Sequence, residues 1–156
     1  MDIGILGGSF NPVHNGHLRL GIEVLEQIGL DRVDFVPAAV PPHKQKQEVS
    51  PFSFRRQLLE KALEGRTGTW VNPLEGERSG PSYTVDTLKS YQEEVPGAEL
   101  HFIMGGRDFL TLTEWHQWQS LLEQTHFVVV SRQGISSARI QDFVFNIWPK
   151  TRLLSH

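Results

Sequence analysis

None of the 156 residues is cysteine, which excludes a disulfide framework, a thiolate metal site and a cysteine nucleophile. No apolar stretch approaches membrane-spanning length. Positive charge is also scarce. Fifteen Lys and Arg stand against eighteen Asp and Glu, a net charge of −3, and no basic cluster concentrates what there is. That balance argues against a broad surface for nucleic acid or anionic membrane, so phosphate binding, if any, is expected to be local. There is no internal repeat or low-complexity segment. Met1 leads into an apolar strand-like run rather than a charged segment, an apolar core and a cleavage site, which predicts a cytoplasmic protein. What is present is an ordinary globular composition, 38% hydrophobic and 21% charged with a mean hydropathy of −0.30, and a length that suits one domain over residues 1–156.

Apolar runs of strand length alternate with stretches of helical period. Strands are predicted at 2–8 (DIGILGG), 32–38 (RVDFVPA), 69–73 (TWVNP), 99–105 (ELHFIMG) and 125–134 (THFVVVSRQG). Helices are predicted from about Gly16 to Ile28, from Phe52 to Gly65 with Ser50 or Ser53 as cap, from Thr84 to Val95, and through 107–124. The prolines of "AAVPPHKQKQEVSP" break regular structure between the second strand and second helix. The alternation predicts an α/β fold, Rossmann-like and doubly wound, with a mainly parallel sheet and helices on both faces. In such folds ligands gather beyond the carboxyl ends of the strands. "GGSFNPVHNGH", "PAAVPPHK", "MGGRD" and "VSRQG" each follow a strand and are expected to converge there.

In the first of these segments, Gly7 and Gly8 permit a tight turn and close backbone approach, and Asn11-Pro12 fixes a bend before the helix. His14 and His17 lie one turn apart on a helix start, where peptide N–H groups attract anions, with Gly16 between them leaving room for a ligand. Neither common phosphate loop, G-x-x-x-x-G-K-[ST] nor G-x-G-x-x-G, is present. Residues 8–17, Gly-Ser-Phe-Asn-Pro-Val-His-Asn-Gly-His, resemble instead the G-x-F-[DN]-P-x-H-x-G-H motif of the HxGH nucleotidyltransferase superfamily. The resemblance implies transfer of a nucleotidyl group from a nucleoside triphosphate with release of pyrophosphate. Gly8, Ser9, Phe10, His14, Gly16 and His17 would line the ATP site. His17 would contact the α-phosphate and His14 the outer phosphates, and Mg²⁺ carried by the ATP phosphates would neutralise charge.

Further segments resemble bacterial nicotinate mononucleotide adenylyltransferases. "PPHK" at 41–44 offers Lys44 as a catalytic point charge for a phosphate, against the plainer reading of a solvated lysine on a stiffened loop. "SYTVDTL" at 82–88 implies a nicotinate mononucleotide site at Ser82, Tyr83, Thr84 and Thr87, where family members bind the carboxylate with backbone amides. Ser82 or Thr84 can also cap the helix. Trp115 in "TEWHQW" resembles the tryptophan that stacks on the pyridine ring, with core packing as its alternative, while Trp118 is expected in core or interface. "IMGGRD" resembles the family's G-x-D and places Gly106 and Asp108 near the adenosine, unless Asp108 caps the next helix. "VVVSRQG" resembles V-x-x-R-P-G with Gln133 for proline, and brings Arg132 to the border of the nucleotide site. His43, His101, His116, His126 and His156 form no metal pattern, so no protein-bound metal is assigned.

The resemblance weakens after about residue 134. "ISSARIQ" at 135–141 mimics the family's I-S-S/A-T-x-I-R phosphate-binding helix start, with Ala138 for threonine and Gln141 for arginine. It is either a degenerate phosphate motif or an ordinary helix entry capped by Ser136, in a chain shortened before the true motif. The leading expectation is an adenylyltransferase joining nicotinate mononucleotide to the AMP part of ATP, with those two small molecules as partners and no nucleic acid or membrane. Two alternatives stand: transfer to another phosphate such as phosphopantetheine, and a nucleotide-binding module with impaired catalysis.

Overall fold

The structure, a computed structural model, describes residues 1–39, 49–130 and 135–147. Strands β1 (Asp2–Gly8), β2 (Arg32–Pro37), β3 (Thr69–Val71), β4 (Glu99–Gly105) and β5 (His126–Val130) form one sheet in the order β3-β2-β1-β4-β5. All four pairings are parallel. The helices are α1 (Asn15–Ile28), α2 (Phe52–Leu63), α3 (Thr84–Glu94), α4 (Gly106–Phe109), α5 (Trp118–Gln124) and α6 (Ser137–Ile147), with 3₁₀ turns at Leu74–Glu77 and Leu112–Glu114. The predicted doubly wound fold is therefore present.

Strand alternation sorts the core into two layers. Ile3, Ile5, Val36, Leu100, Phe102 and Met104 face α3, α5 and α6 through Leu88, Tyr91, Leu121 and Val144. Leu6, Val33, Phe35 and Ile103 face α1 and α2 through Val24, Leu59 and Leu63. Gly21 sets how closely α1 approaches the sheet: a Cβ there would lie 2.5 Å from the Phe35 ring. Because strand order reverses at β1, its carboxyl end opens between connections that leave in opposite directions, the usual place for a ligand crevice.

Three local expectations are corrected. The 107–124 stretch is not one helix; it divides into α4, a 3₁₀ turn and α5, with Gln117 at φ 50° turning the chain before α5. Such a φ is incompatible with a continuous right-handed helix. Neither Ser50 nor Ser53 caps α2, whose N-cap is Pro51 with no side-chain bond; Ser50 instead donates its backbone N–H to Asn11 Oδ1 at 3.1 Å. The third strand ends at Val71, short of the predicted Pro73, while the predicted end of the fifth, 131–134, lies outside the described residues.

Candidate active site

The turn after β1 is organised from behind by Phe10. Its φ is 46°, a strained conformation for a bulky residue, and its side chain is 2% exposed. The ring meets His17 edge-on, with centroids 5.0 Å apart, and tilts against Phe35 at 5.9 Å. The Phe10 side chain is therefore part of the core, which leaves only its backbone open to the expected ATP site. Gly8 sits directly above, where a Cβ would touch the same ring at 3.6 Å.

The two histidines build the start of α1. His14 is the N-cap, and its Nδ1 accepts the Gly16 N–H at 3.0 Å. The His14 N–H donates in turn to Nδ1 of His17 at 3.1 Å, closing a reciprocal capping box made of imidazoles instead of the usual hydroxyl and carboxylate. The rings stack with centroids 3.7 Å apart at 25°. Since each Nδ1 lone pair is taken by a backbone N–H, each neutral ring carries its proton on Nε2. The cap therefore makes two Nε2–H donors of fixed tautomer at a helix start. Gly16 contributes the backbone donor on which this depends.

Beyond the strand ends lies a cavity of about 520 Å³. Gly7 and Gly8 bound it from β1, Val36 and Ala38 from β2, and Phe102 from β4; Tyr83, Thr84, Trp115 and His116 complete the wall. Tyr83 is the N-cap of α3 with no side-chain cap bond, so neither Ser82 nor Thr84 caps this helix. Ser82 is buried and its Oγ accepts the Ala39 N–H at 3.3 Å. The Tyr83 ring stacks on His116 at 4.2 Å. Trp115 is half-buried, donates Nε1–H to Thr111 Oγ1 at 3.1 Å and meets Phe102 edge-on at 6.0 Å, so it packs on the core and borders the cavity at once. Trp118 packs against the core as expected.

Thr87 is 1% exposed and, with Glu75, belongs to the cavity wall as part of a buried polar knot. Its Oγ1 donates to Glu75 Oε2 at 2.6 Å and accepts from Arg78 Nη2 at 2.6 Å, while Arg78 and Glu75 pair at 3.8 Å. Burial raises the Glu75 carboxyl above its ordinary range; the Thr87 hydrogen bond, the Arg78 charge and a Ser82 hydrogen bond only partly oppose this.

Asp108 is exposed in α4, whose N-cap is Gly105 without a side-chain bond, so the capping reading of Asp108 is not met. Gly106 is buried, and a Cβ there would lie 3.1 Å from Ile140 and 3.3 Å from Ile135, so its lack of a side chain lets the start of α4 pack beside α6 and the residue that leads into it. Ser136 Oγ accepts the Arg139 N–H at 3.2 Å, the geometry of the ordinary helix entry. Lys44 and Arg132 lie outside the described residues. Among the described residues no group of three or more His, Cys, Asp or Glu could hold a metal ion.

Sequence reading missed Arg55, Glu75, Arg78 and His116. Arg55 had a signal. It shares an i, i+4, i+8 stripe with Leu59 and Leu63, all buried, which places a cation on the apolar face of α2.

Comparison with known proteins places this geometry in context. The cytidylyltransferase-like family profile matches residues 5–154. A probable nicotinate-nucleotide adenylyltransferase of Maridesulfovibrio salexigens is 42% identical over 150 residues, covering 96% of this chain and 69% of that protein. One from Pelobacter propionicus is 42% identical over 86% of this chain and 62% of its own length. The chain thus spans about two thirds of these relatives. Among solved structures, a Plasmodium falciparum nicotinic acid mononucleotide adenylyltransferase complexed with NaAD superposes with a TM-score of 0.80 at 19% identity, over 91% of this chain and 70% of that one; at that identity it supports the fold.

Proposed function

The chain belongs to the cytidylyltransferase-like family and, among its members, groups with the nicotinate-nucleotide adenylyltransferases; from that premise we propose that it transfers AMP from ATP to nicotinate mononucleotide. A phosphate oxygen of the mononucleotide attacks the α-phosphorus of ATP, the bond from that phosphorus to the bridging oxygen breaks, and pyrophosphate leaves with the electron pair. The products are the deamido dinucleotide and pyrophosphate. No side-chain nucleophile is needed, so catalysis rests on alignment and on donors aimed at the charge that builds on the α-phosphate.

The observation that carries this reading is the reciprocal histidine cap, which fixes His14 and His17 as Nε2–H donors at the start of α1, in the segment that follows β1. His17 donates to the α-phosphate and His14 to the outer phosphates, with Ser9, Gly8 and the Phe10 backbone shaping the turn around them. Lys44 adds a point charge, Arg132 borders the nucleotide, and Gly106 and Asp108 flank the adenosine. The divalent cation enters as MgATP.

At the other end, the first turn of α3 has no side-chain cap and borders the cavity through Tyr83 and Thr84. Its amides suit a nicotinate carboxylate, Ser82 ties this segment to Ala39, and Thr87 anchors it through Glu75 and Arg78. Trp115 supplies a face for the pyridine ring. The test is product identification with MgATP and, in separate reactions, nicotinate mononucleotide, nicotinamide mononucleotide and phosphopantetheine. Faster formation of the deamido dinucleotide supports the proposal. Preferential transfer to phosphopantetheine, or binding of both substrates without pyrophosphate release, contradicts it.

A further inference from the structure

Arg55 is 1% exposed, the largest side chain in the fully buried core. A buried guanidinium ordinarily pairs with a carboxylate, because an uncompensated interior charge is costly. Arg55 takes no part in any ion pair among the described residues. Its hydrogen-bond acceptors are all carbonyl oxygens: Nε donates to Ser50 at 2.7 Å, Nη1 to Ser9 and to Ala38 at 2.7 Å each, and Nη2 to Ala39 at 3.2 Å, while Cζ lies 5.6 Å from the centre of the Phe52 ring. These acceptors come from the turn after β1, the chain after β2 and the approach to α2, so one side chain pins the turn after β1 to the segment that borders the cavity at Ala38.

The direction of these bonds matters as much as their number. A carbonyl oxygen facing a triphosphate would repel it; Arg55 draws four such oxygens to itself. In a planar trans peptide the N–H points away from the preceding C=O. Ala39 shows the consequence: with the Ala38 carbonyl held by Arg55, the Ala39 N–H is turned to Ser82 Oγ. The Ser9 carbonyl is held in the same way, which turns the Phe10 N–H away from the guanidinium. The net positive charge then lies immediately behind the turn that carries Ser9, His14 and His17, unneutralised by any carboxylate in the described residues.

We propose that Arg55 is a positioning residue for the triphosphate: it turns the carbonyls of Ser9, Ala38 and Ala39 away from the ligand and holds a buried cation whose counter-charge is the bound phosphate chain. This rests on the triphosphate position proposed above, and is independent of which mononucleotide accepts the AMP.

The experiment measures equilibrium binding of ATP, AMP, adenosine and nicotinate mononucleotide to the unmodified chain and to Arg55→Met and Arg55→Lys, with folding of each followed by circular dichroism. Arg55→Met should weaken ATP by about 10- to 100-fold, the scale of a lost preorganised electrostatic contact. AMP should lose less and adenosine should change by less than about threefold, so that among the adenine ligands the loss tracks phosphate count; nicotinate mononucleotide, whose proposed site Ala38 and Ser82 border, should weaken less than ATP. Arg55→Lys, which keeps the charge and loses the fork, should fall between. Equal losses for all four ligands overturn the proposal, since that is what a merely structural residue would produce. A measurement on the unmodified chain removes the dependence on variant folding: the ¹⁵N–¹H resonance of Arg55 Nε, assigned by its through-space contacts to Phe52, should shift more on addition of inorganic pyrophosphate than of nicotinate mononucleotide. A resonance that ignores saturating pyrophosphate overturns the proposal. A chain that binds neither ATP nor pyrophosphate overturns the functional reading together with it, whereas intact binding left unchanged by both Arg55 variants overturns this proposal alone.

Discussion

The helix start at His14–His17 is closed by two hydrogen bonds that span two and three residues, whereas the cavity beside it draws its walls from residues 5–8, 36–38, 75–87, 102 and 114–116. At the first, the groups proposed to act on phosphate also supply their own cap, so their tautomers follow from local backbone geometry. At the second, Thr87, Phe102 and Trp115 serve cavity and core together. The histidine donors proposed for phosphate lie within ten consecutive residues, whereas the cavity proposed for the aromatic acid requires the sheet to bring distant segments together. It also predicts that damage at the two ends differs in kind. The local end should lose chemistry with little loss of fold; the assembled end should lose binding and stability jointly.

The largest effect is expected from His17→Ala. It removes one preorganised donor to the α-phosphate and should lower kcat by about 10²- to 10³-fold. It also removes half of the cap, at about 1 kcal/mol of stability, readable in a denaturant titration. A large loss of stability with little change in kcat would break the contrast.

Thr87→Val comes next. Deleting the hydroxyl leaves Glu75 and Arg78 without their shared partner in a buried setting and should cost about 1–3 kcal/mol of folding free energy. Nicotinate mononucleotide should bind more weakly as the start of α3 loosens, with ATP affinity nearly kept; Thr87→Ser should restore most of both. Trp115→Ala should raise KM for the mononucleotide by about three- to tenfold, the worth of one aromatic stacking contact, and leave KM for ATP little changed.

The smallest effect concerns pH. Burial raises the Glu75 carboxyl above its ordinary value of 4.5, so the folded chain holds this proton after the unfolded chain has released it. Folding stability therefore falls as pH rises from about that value through the native titration of Glu75. Glu75→Gln does not titrate and should flatten this part of the stability profile. An unchanged slope would show that the knot in the cavity wall is not the source.

The same contrast explains what could be read from the sequence. The parallel doubly wound sheet follows from alternating strand and helix periods, and the histidine pair from its spacing around Gly16. Both signals are local. The three-way knot of Glu75, Arg78 and Thr87 was not legible because Glu75 lies in a 3₁₀ turn that Arg78 ends, in a glycine-containing stretch without helical or strand period, and only the packing of α3 against that turn brings Thr87 to them. Arg55 was obscured by its neighbour. Arg56 makes an ordinary exposed i, i+4 pair with Glu60 at 2.8 Å, and a doublet of arginines reads as a solvated surface unless the stripe through Leu59 and Leu63 is traced back to Arg55. The break in 107–124 was hidden for a different reason. Helical periodicity runs across it, and the left-handed turn at Gln117 has no glycine to announce it.

The central claim, that a locally built phosphate end and an assembled pyridine end act on separate substrates, is tested most directly by steady-state pyrophosphate release from His17→Ala and Trp115→Ala with each substrate varied in turn. The account predicts that His17→Ala loses kcat with KM for nicotinate mononucleotide nearly unchanged, and that Trp115→Ala raises that KM with kcat largely kept. Equal losses of kcat in both variants, or a His17→Ala chain that turns over at the unmodified rate, would contradict it.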